Sequence, residues 1–228
     1  MYRLHIANKN YSSWSLRPWL LMTELAIPFE EVLHQFPADP AARDFFAFSP
    51  TGNVPCLHDG SEVIYDSLAI AEYLAERHAG VWPADAQARA WARCACAEIH
   101  AGFGGLRSRC SMNCGIRVRL PGITADLQRD LDRLDALWAE GQRRFGGPFL
   151  AGPRFSAVDA FYAPVAFRIQ TYAPPLSAPA MAYVQLLLDL PGMRSWYAAG
   201  LAETWRDAEH EADIARCGEL LGDLRRQP

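Results

Sequence analysis

The spacing of apolar residues changes once along this chain, and that change limits the folds open to it. Over residues 1–79 strand and helix patterns alternate. Residues 2–7 alternate in the manner of a strand, 15–25 place Leu16, Trp19, Leu20, Met22 and Leu25 at helical spacing, and 29–35 read as a second strand. A short helix is predicted over 40–47. Two short strands, 55–58 and 62–65, flank the turn pair Asp59-Gly60. Residues 67–78 then read as a helix with Leu68, Ala71, Tyr73 and Leu74 on its apolar face. Gly80-Val81-Trp82-Pro83 breaks the pattern. Beyond it only the helical period continues, over 86–107, 124–145, 156–172, 180–188 and 192–202. The expectation is an α/β unit over 1–79, in the order β-α-β-α-β-β-α, followed by an all-α unit over 86–228. The bundle proper is expected to end near residue 205, leaving a charged tail, helical or loose.

A chain of 228 residues accommodates two such units, and half apolar with 21% charged residues is an ordinary globular balance. The net charge of −4 gives no general attraction to nucleic acid or an anionic membrane. Neither a secretory signal pattern nor the ~20 apolar residues of a membrane span is found, so no membrane and a cytoplasmic location are expected. Cys56, Cys94, Cys96, Cys110, Cys114 and Cys217 form no C-x-x-C pair. Cys110 and Cys114 have metal-compatible spacing but no second Cys/His pair, so reduced thiols and no metal are expected. Lys9 is the only lysine, read as compositional bias rather than chemistry.

Two neighbouring segments carry the functional signal. Ser49-Pro50-Thr51-Gly52-Asn53-Val54-Pro55 is a loop feeding a strand through Val-Pro, and Tyr65-Asp66-Ser67-Leu68 is a strand ending in a helix cap. An acidic residue and a hydroxyl at a helix start can hold the charged end of a small peptide, although the same pair also serves as an ordinary cap. Further on, Ser156-Ala157-Val158-Asp159 is a capping box with Asp in place of Glu, opening a buried helix. Thr124, with Asp126 in the first turn, starts the long helix before Gly146.

Together, in this order, these segments resemble the cytosolic glutathione S-transferases over essentially the whole chain. That family pairs a thioredoxin-like N-terminal domain with an all-helical C-terminal domain. Its carriers here are Val54-Pro55, Asp66-Ser67, the linker, and the Ser156/Asp159 cap after Leu150-Ala151-Gly152. Ser12-Ser13-Trp14-Ser15-Leu16-Arg17 is similar to the serine-type loop of the zeta class, less closely theta. The resemblance implies a cis Pro55, with the Val54 backbone pairing to glutathione's cysteinyl part. It implies that Asp66 takes the α-ammonium of glutathione, and Ser67 with the helix amides its α-carboxylate. It implies glutathione as co-substrate without a metal, a homodimer, and a hydrophobic or carboxylate-bearing electrophile bound by the second domain.

The chemistry requires glutathione's thiol as thiolate, stabilised by a donor at sulfur and a helix N-terminus. The candidates are Ser12, then Ser13, then Asn10. Counting back from Arg17 without a gap puts the family's Ser or Cys slot on Asn10. A helix cap at Ser15 would place Pro18 at the third helical position, where proline is tolerated. Tyr11 is read as packing. His100 and Phe103 are candidates for the electrophile pocket, with core packing as the alternative. Arg107, Arg109, Arg117 and Arg119 are read as a solvated helix end or a carboxylate-recognition stretch. His34, His58 and Cys56 are read as scaffold. No cysteine lies in the loop before the first helix, which argues against thiol–disulfide exchange. The reading is a glutathione-conjugating transferase, with a zeta-type (maleylacetoacetate isomerase) cis-trans isomerase or a non-catalytic binding module as alternatives. Peroxide reduction would differ only in the acceptor.

Overall fold

The computed structural model describes residues 1–37 and 44–227. A four-stranded sheet in the order β2-β1-β3-β4 forms from β1 (Tyr2–Ala7), β2 (Phe29–His34), β3 (Cys56–Asp59) and β4 (Glu62–Tyr65). β1 and β2 are parallel, and β3 runs antiparallel to both β1 and β4, with Leu4 facing Leu57 and Leu57 facing Ile64. The parallel pair requires a crossover, which α1 (Ser13–Glu24) supplies. Asp59-Gly60 closes the hairpin, with Gly60 at φ 60° as a turn of this kind needs. α2 (Ser67–Ala75) completes this half. Of the helix expected over 40–47, residues 40–43 lie outside the described residues, and 45–47 form a 3-10 turn.

The second half holds α3 (Ala86–Ala101), α4 (Gly104–Arg109), α5 (Ala125–Phe145), α6 (Ala157–Tyr172), α7 (Ala178–Leu188), α8 (Pro191–Ala202) and α9 (Ala208–Cys217). α6 is buried along nearly its whole length and packs on α1, α3 and α7. A helix apolar all round belongs inside, and this one is the axis joining the halves. Its capping box forms: Asp159 Oδ2 accepts the Ser156 N–H (2.9 Å), while Oδ1 accepts Leu150 N–H (3.0 Å) and Tyr183 O–H (2.9 Å). Burial raises the Asp159 carboxyl to about 6, against the pull of these hydrogen bonds.

Three expectations need correction. First, α1 starts at Ser13 with Ser12 at the cap, so Pro18 lies inside the helix. Ser15 does not cap; its Oγ accepts the Ala7 N–H (3.2 Å) and ties the helix to the end of β1. Second, the helix expected over 86–107 breaks at Gly102-Phe103. Phe103 is left-handed (φ 59°), and the Arg107 guanidinium turns back onto the carbonyls of Gly102 (3.1 Å) and Ile99, satisfying acceptors that the helix end leaves open. Third, the helical half contains strands: β5 (Ile116–Arg119) pairs antiparallel with β6 (Glu219–Asp223). Lys9 is also more than bias. It is buried, pairs with Glu31 (2.8 Å) and sits over the rings of Trp19 and Trp196.

On the sheet, His5 Nδ1 lies 2.9 Å from His34 Nε2, and the His5 ring packs against His58 and Phe48. Burial, then the neighbouring histidines and Arg3, push His5 down to about 4. The unfolded chain therefore takes up a proton near pH 6.5 that the folded chain refuses until about pH 4. Stability contributed by neutral His5 is present above pH 6.5 and is lost as pH falls through that window, by about 1–2 kcal/mol. Urea unfolding between pH 7 and 4.5 checks this: His5→Phe should flatten the profile, and an unchanged slope would refute it.

Candidate active site

Two contiguous cavities open where α1, the loop before β3 and the start of α2 converge. One, about 330 Å³, is bordered by Trp14, Asn53, Val54, Pro55, Asp66 and Ser67. The other, about 280 Å³, shares Trp14, Asn53 and Val54 and extends past Ser12 and Ser13 to Met112 and Arg168. The Val54–Pro55 bond is cis.

Asp66 is held at φ 73°, a conformation L-residues adopt at a cost of about 1–3 kcal/mol. Its Oδ1 caps α2 by accepting the Leu68 N–H (2.8 Å), and its Oδ2 lies 3.3 Å from His100 Nε2. Ser67 is fully buried, and its Oγ accepts from Arg17 Nη1 (3.3 Å). His100 thus braces Asp66 and meets the edge of Trp14 (5.0 Å between centroids). Phe103 is buried at the α3–α4 break. Neither residue borders these cavities, nor a third of about 470 Å³ beside Arg107 and Cys217.

The loop before α1 separates the three thiol-donor candidates. Asn10 is fully buried and turned towards α8: its Nδ2 donates to the Gly200 carbonyl (2.6 Å) and Glu203 Oε2 (3.0 Å). Glu203 also accepts the backbone N–H of Lys9 (2.6 Å) and Asn10 (3.3 Å), and burial raises its pKa. Asn10 is therefore a clamp on the loop, and it is absent from the cavity walls. Ser12 and Ser13 do line the cavity. Ser12 Oγ gives its proton to Ser15 Oγ (2.7 Å). Ser13 Oγ instead accepts from Arg168 Nη2 (3.4 Å), which leaves its own proton to donate.

The electrostatics are one-sided. No side chain caps α1, and its first turn has no acidic residue. Arg17, Arg107 and Arg168 gather behind it, and among the described residues none of the three forms an ion pair. Arg17 and Arg107 lie over the Trp14 ring, at 4.1 and 4.8 Å from its centroid. Burial first, then Arg107 and Arg168, push Arg17 down to about 9; Arg168 falls to about 10 through burial and Arg107. All three remain cationic at neutral pH and favour an anion at the helix start.

Arg168, Met112, His210 and Asp213 reach the cavity from distant segments and were not anticipated. Among the described residues no group of three or more His, Cys, Asp or Glu could hold a metal. No helix among them is long and apolar enough to cross a membrane.

The family model for the glutathione S-transferase N-terminal domain matches residues 11–77, and that for the C-terminal domain matches 84–199. The chain belongs to the glutathione S-transferase family. Among its relatives within and around that family is the glutathione S-transferase-like protein OpS6 of Beauveria bassiana, 26% identical over 209 residues, 86% of this chain and 88% of that one. The dichloromethane dehalogenase of Methylorubrum extorquens is 40% identical over 65 residues, a match spanning 27% of this chain and only 23% of the dehalogenase. A glutathione transferase homologue from Burkholderia GL BGR1, solved with bound glutathione, shares the fold with a TM-score of 0.64 at 20% identity, covering 87% of this chain and 97% of that one. The cis proline, the α2 cap, Ser12 and Ser13 all fall within the segment matched to the transferase N-terminal domain, and Asn10 lies just before it.

Proposed function

We propose that this glutathione S-transferase family member binds glutathione between cis-Pro55 and the α2 N-terminus and activates its thiol with Ser13. The observation that carries this is the placement of Ser13 at the uncapped start of α1, on the wall shared with Val54, with Arg168 donating to its oxygen. Glutathione's γ-glutamyl end would lie in the cavity bounded by Asp66 and Ser67. The Asp66 carboxylate would take the α-ammonium, and Ser67 with the α2 amides the α-carboxylate. The Val54 backbone would pair with the cysteinyl part. The sulfur then points towards Ser13, where the helix start and the arginines lower its pKa. The Burkholderia homologue with bound glutathione supports the same ligand.

In this reading residues 1–79 form the glutathione-binding domain, and 86–228 supply the far wall, where Met112 and Arg168 suit a hydrophobic or carboxylate-bearing electrophile. The reaction is conjugation of glutathione by a serine-type enzyme. The family resemblance supports a homodimer and a cytoplasmic location in this reading. The isomerase and non-catalytic alternatives are not favoured by these findings.

Calorimetric titration with glutathione tests the reading directly, and absence of binding would sink it. Conjugation assays with an aryl halide then separate the hydroxyls. Ser13→Ala is expected to lower kcat roughly a hundredfold while glutathione affinity holds. Ser12→Ala, whose proton is already given to Ser15, should cost less than about tenfold. The reverse order would return the donor role to Ser12.

A further inference from the structure

The second cavity has a wall that lies beyond the matched transferase domains, which end at residue 199. It comes from α9. Asp207, at the N-cap of α9, is buried, with 2% of its side chain exposed, and its Oδ2 receives both the His210 backbone N–H (3.1 Å) and the His210 Nδ1. The His210 ring is stacked between Tyr11 (4.9 Å) and Phe36 (5.1 Å) and is one quarter exposed (25%), on the cavity that Ser12 and Ser13 line. A carboxylate on Nδ1 fixes the ring plane and the tautomer, leaving Nε2 as the proton acceptor. The groups around the ring are Asp207, Glu211 and Asp213 from α9 and its cap, Tyr11 from the α1 loop, Arg225 bound to both Tyr11 and Glu211, and Arg168 across the cavity.

We propose that His210 is a catalytic proton acceptor of this site and that Asp207 is its positioning residue. The inference rests on the glutathione reading above. The glutathione S–H bond breaks and its proton moves to Nε2, while the electron pair stays on sulfur and forms the new C–S bond. With an alkene conjugated to a carbonyl as electrophile, the π electrons move towards the carbonyl. The proton on Nε2 then returns to the carbon beside it, so the imidazole ends neutral and no other reactant is consumed. A base held in place can return its proton in this way, and the dyad therefore suits addition to activated alkenes. Ser13 and the helix start stabilise the sulfur anion, and His210 removes the proton that would reverse it.

The test uses the full chain with glutathione and an α,β-unsaturated ketone. Binding is read by calorimetry, thiol ionisation by the ultraviolet absorbance of bound thiolate against pH, and turnover by steady-state kinetics. His210→Gln should leave glutathione affinity within about twofold, lower kcat by about tenfold or more, and move the bound thiol's titration upward by about one pH unit. Asp207→Asn retains an oxygen to cap α9, so a merely structural role would leave kcat and pH profile unmoved. It should show the same shift, with Asp207→Glu restoring part of it, and it carries the test if His210→Gln fails to fold. Wild-type binding with both variants within about twofold in kcat and unshifted in thiol titration overturns the dyad and leaves the transferase reading standing. Absence of glutathione binding in the wild type removes both.

Discussion

Asp159→Ala should unfold this protein more readily than any other single substitution considered, at a cost of about 3–5 kcal/mol in urea unfolding. The carboxylate is fully buried and accepts from Leu150, Ser156 and Tyr183 at once. Each donor left without a partner in a dry site costs about 1–3 kcal/mol, less than additively. A domain of this kind holds only about 5–15 kcal/mol in total. Asp159→Asn, which keeps one acceptor oxygen, should fall between. A loss under about 1 kcal/mol for the alanine variant would mean that the three donors find other partners and that the box does not hold the α6 start in place.

The second large effect concerns Asp66. Asp66→Asn retains an oxygen for the Leu68 amide and tolerates the positive φ, so the fold should be nearly unaffected. It removes the charge proposed for the α-ammonium of glutathione. A hydrogen bond to a charged group contributes about 1.5–3 kcal/mol, so affinity should fall roughly ten- to a hundredfold. Asp66→Ala loses the cap as well, adding about 1 kcal/mol of destabilisation. Calorimetry and thermal unfolding separate the two contributions. If Asp66→Asn binds glutathione like the wild type, the carboxylate is a cap and not a ligand.

What was legible in the sequence was local. Asp59-Gly60 turns within its own hairpin, Ser156 and Asp159 cap within one helical turn, and Val54-Pro55 and Asp66-Ser67 sit in segments whose chemistry is complete over a few residues. What escaped depends on distance along the chain. β5 pairs with a segment about a hundred residues away, as the Arg119–Glu219 contact shows, and its apolar–charged alternation runs for only four residues, too short to stand out without that partner. The helical period reads straight through 86–107, but Gly102 is extended and Phe103 left-handed, and helix resumes at Gly104, a backbone break the apolar spacing does not register.

The site shows the same division. Ser12 and Ser13 could be placed at the start of the first helix, where both line the cavity. Their ranking could not, because it depends on Arg168, 155 residues beyond Ser13, and on a bond from Ser12 to Ser15 that exists only once α1 starts at Ser13. Asn10 filled the family's slot by counting, but Glu203 draws its amide to the other side of the loop. His210 has no signal of its own in the sequence, being one histidine in a charged tail.

The loop before α1 is held by Glu203, Glu211 and Arg225, and Gly115 lets the Arg225 stem pass where a Cβ would collide. Tyr11 and Arg225 stand 214 residues apart. On a ribosome adding about 5–20 residues per second, that interval is about 10–40 seconds. Throughout it Lys9 can gain its bonds to Glu31 and then Glu203, but Tyr11 lacks the Arg225 contact that completes the clamp on the loop. Tyr11, among the first residues made, would therefore be among the last to reach its folded surroundings.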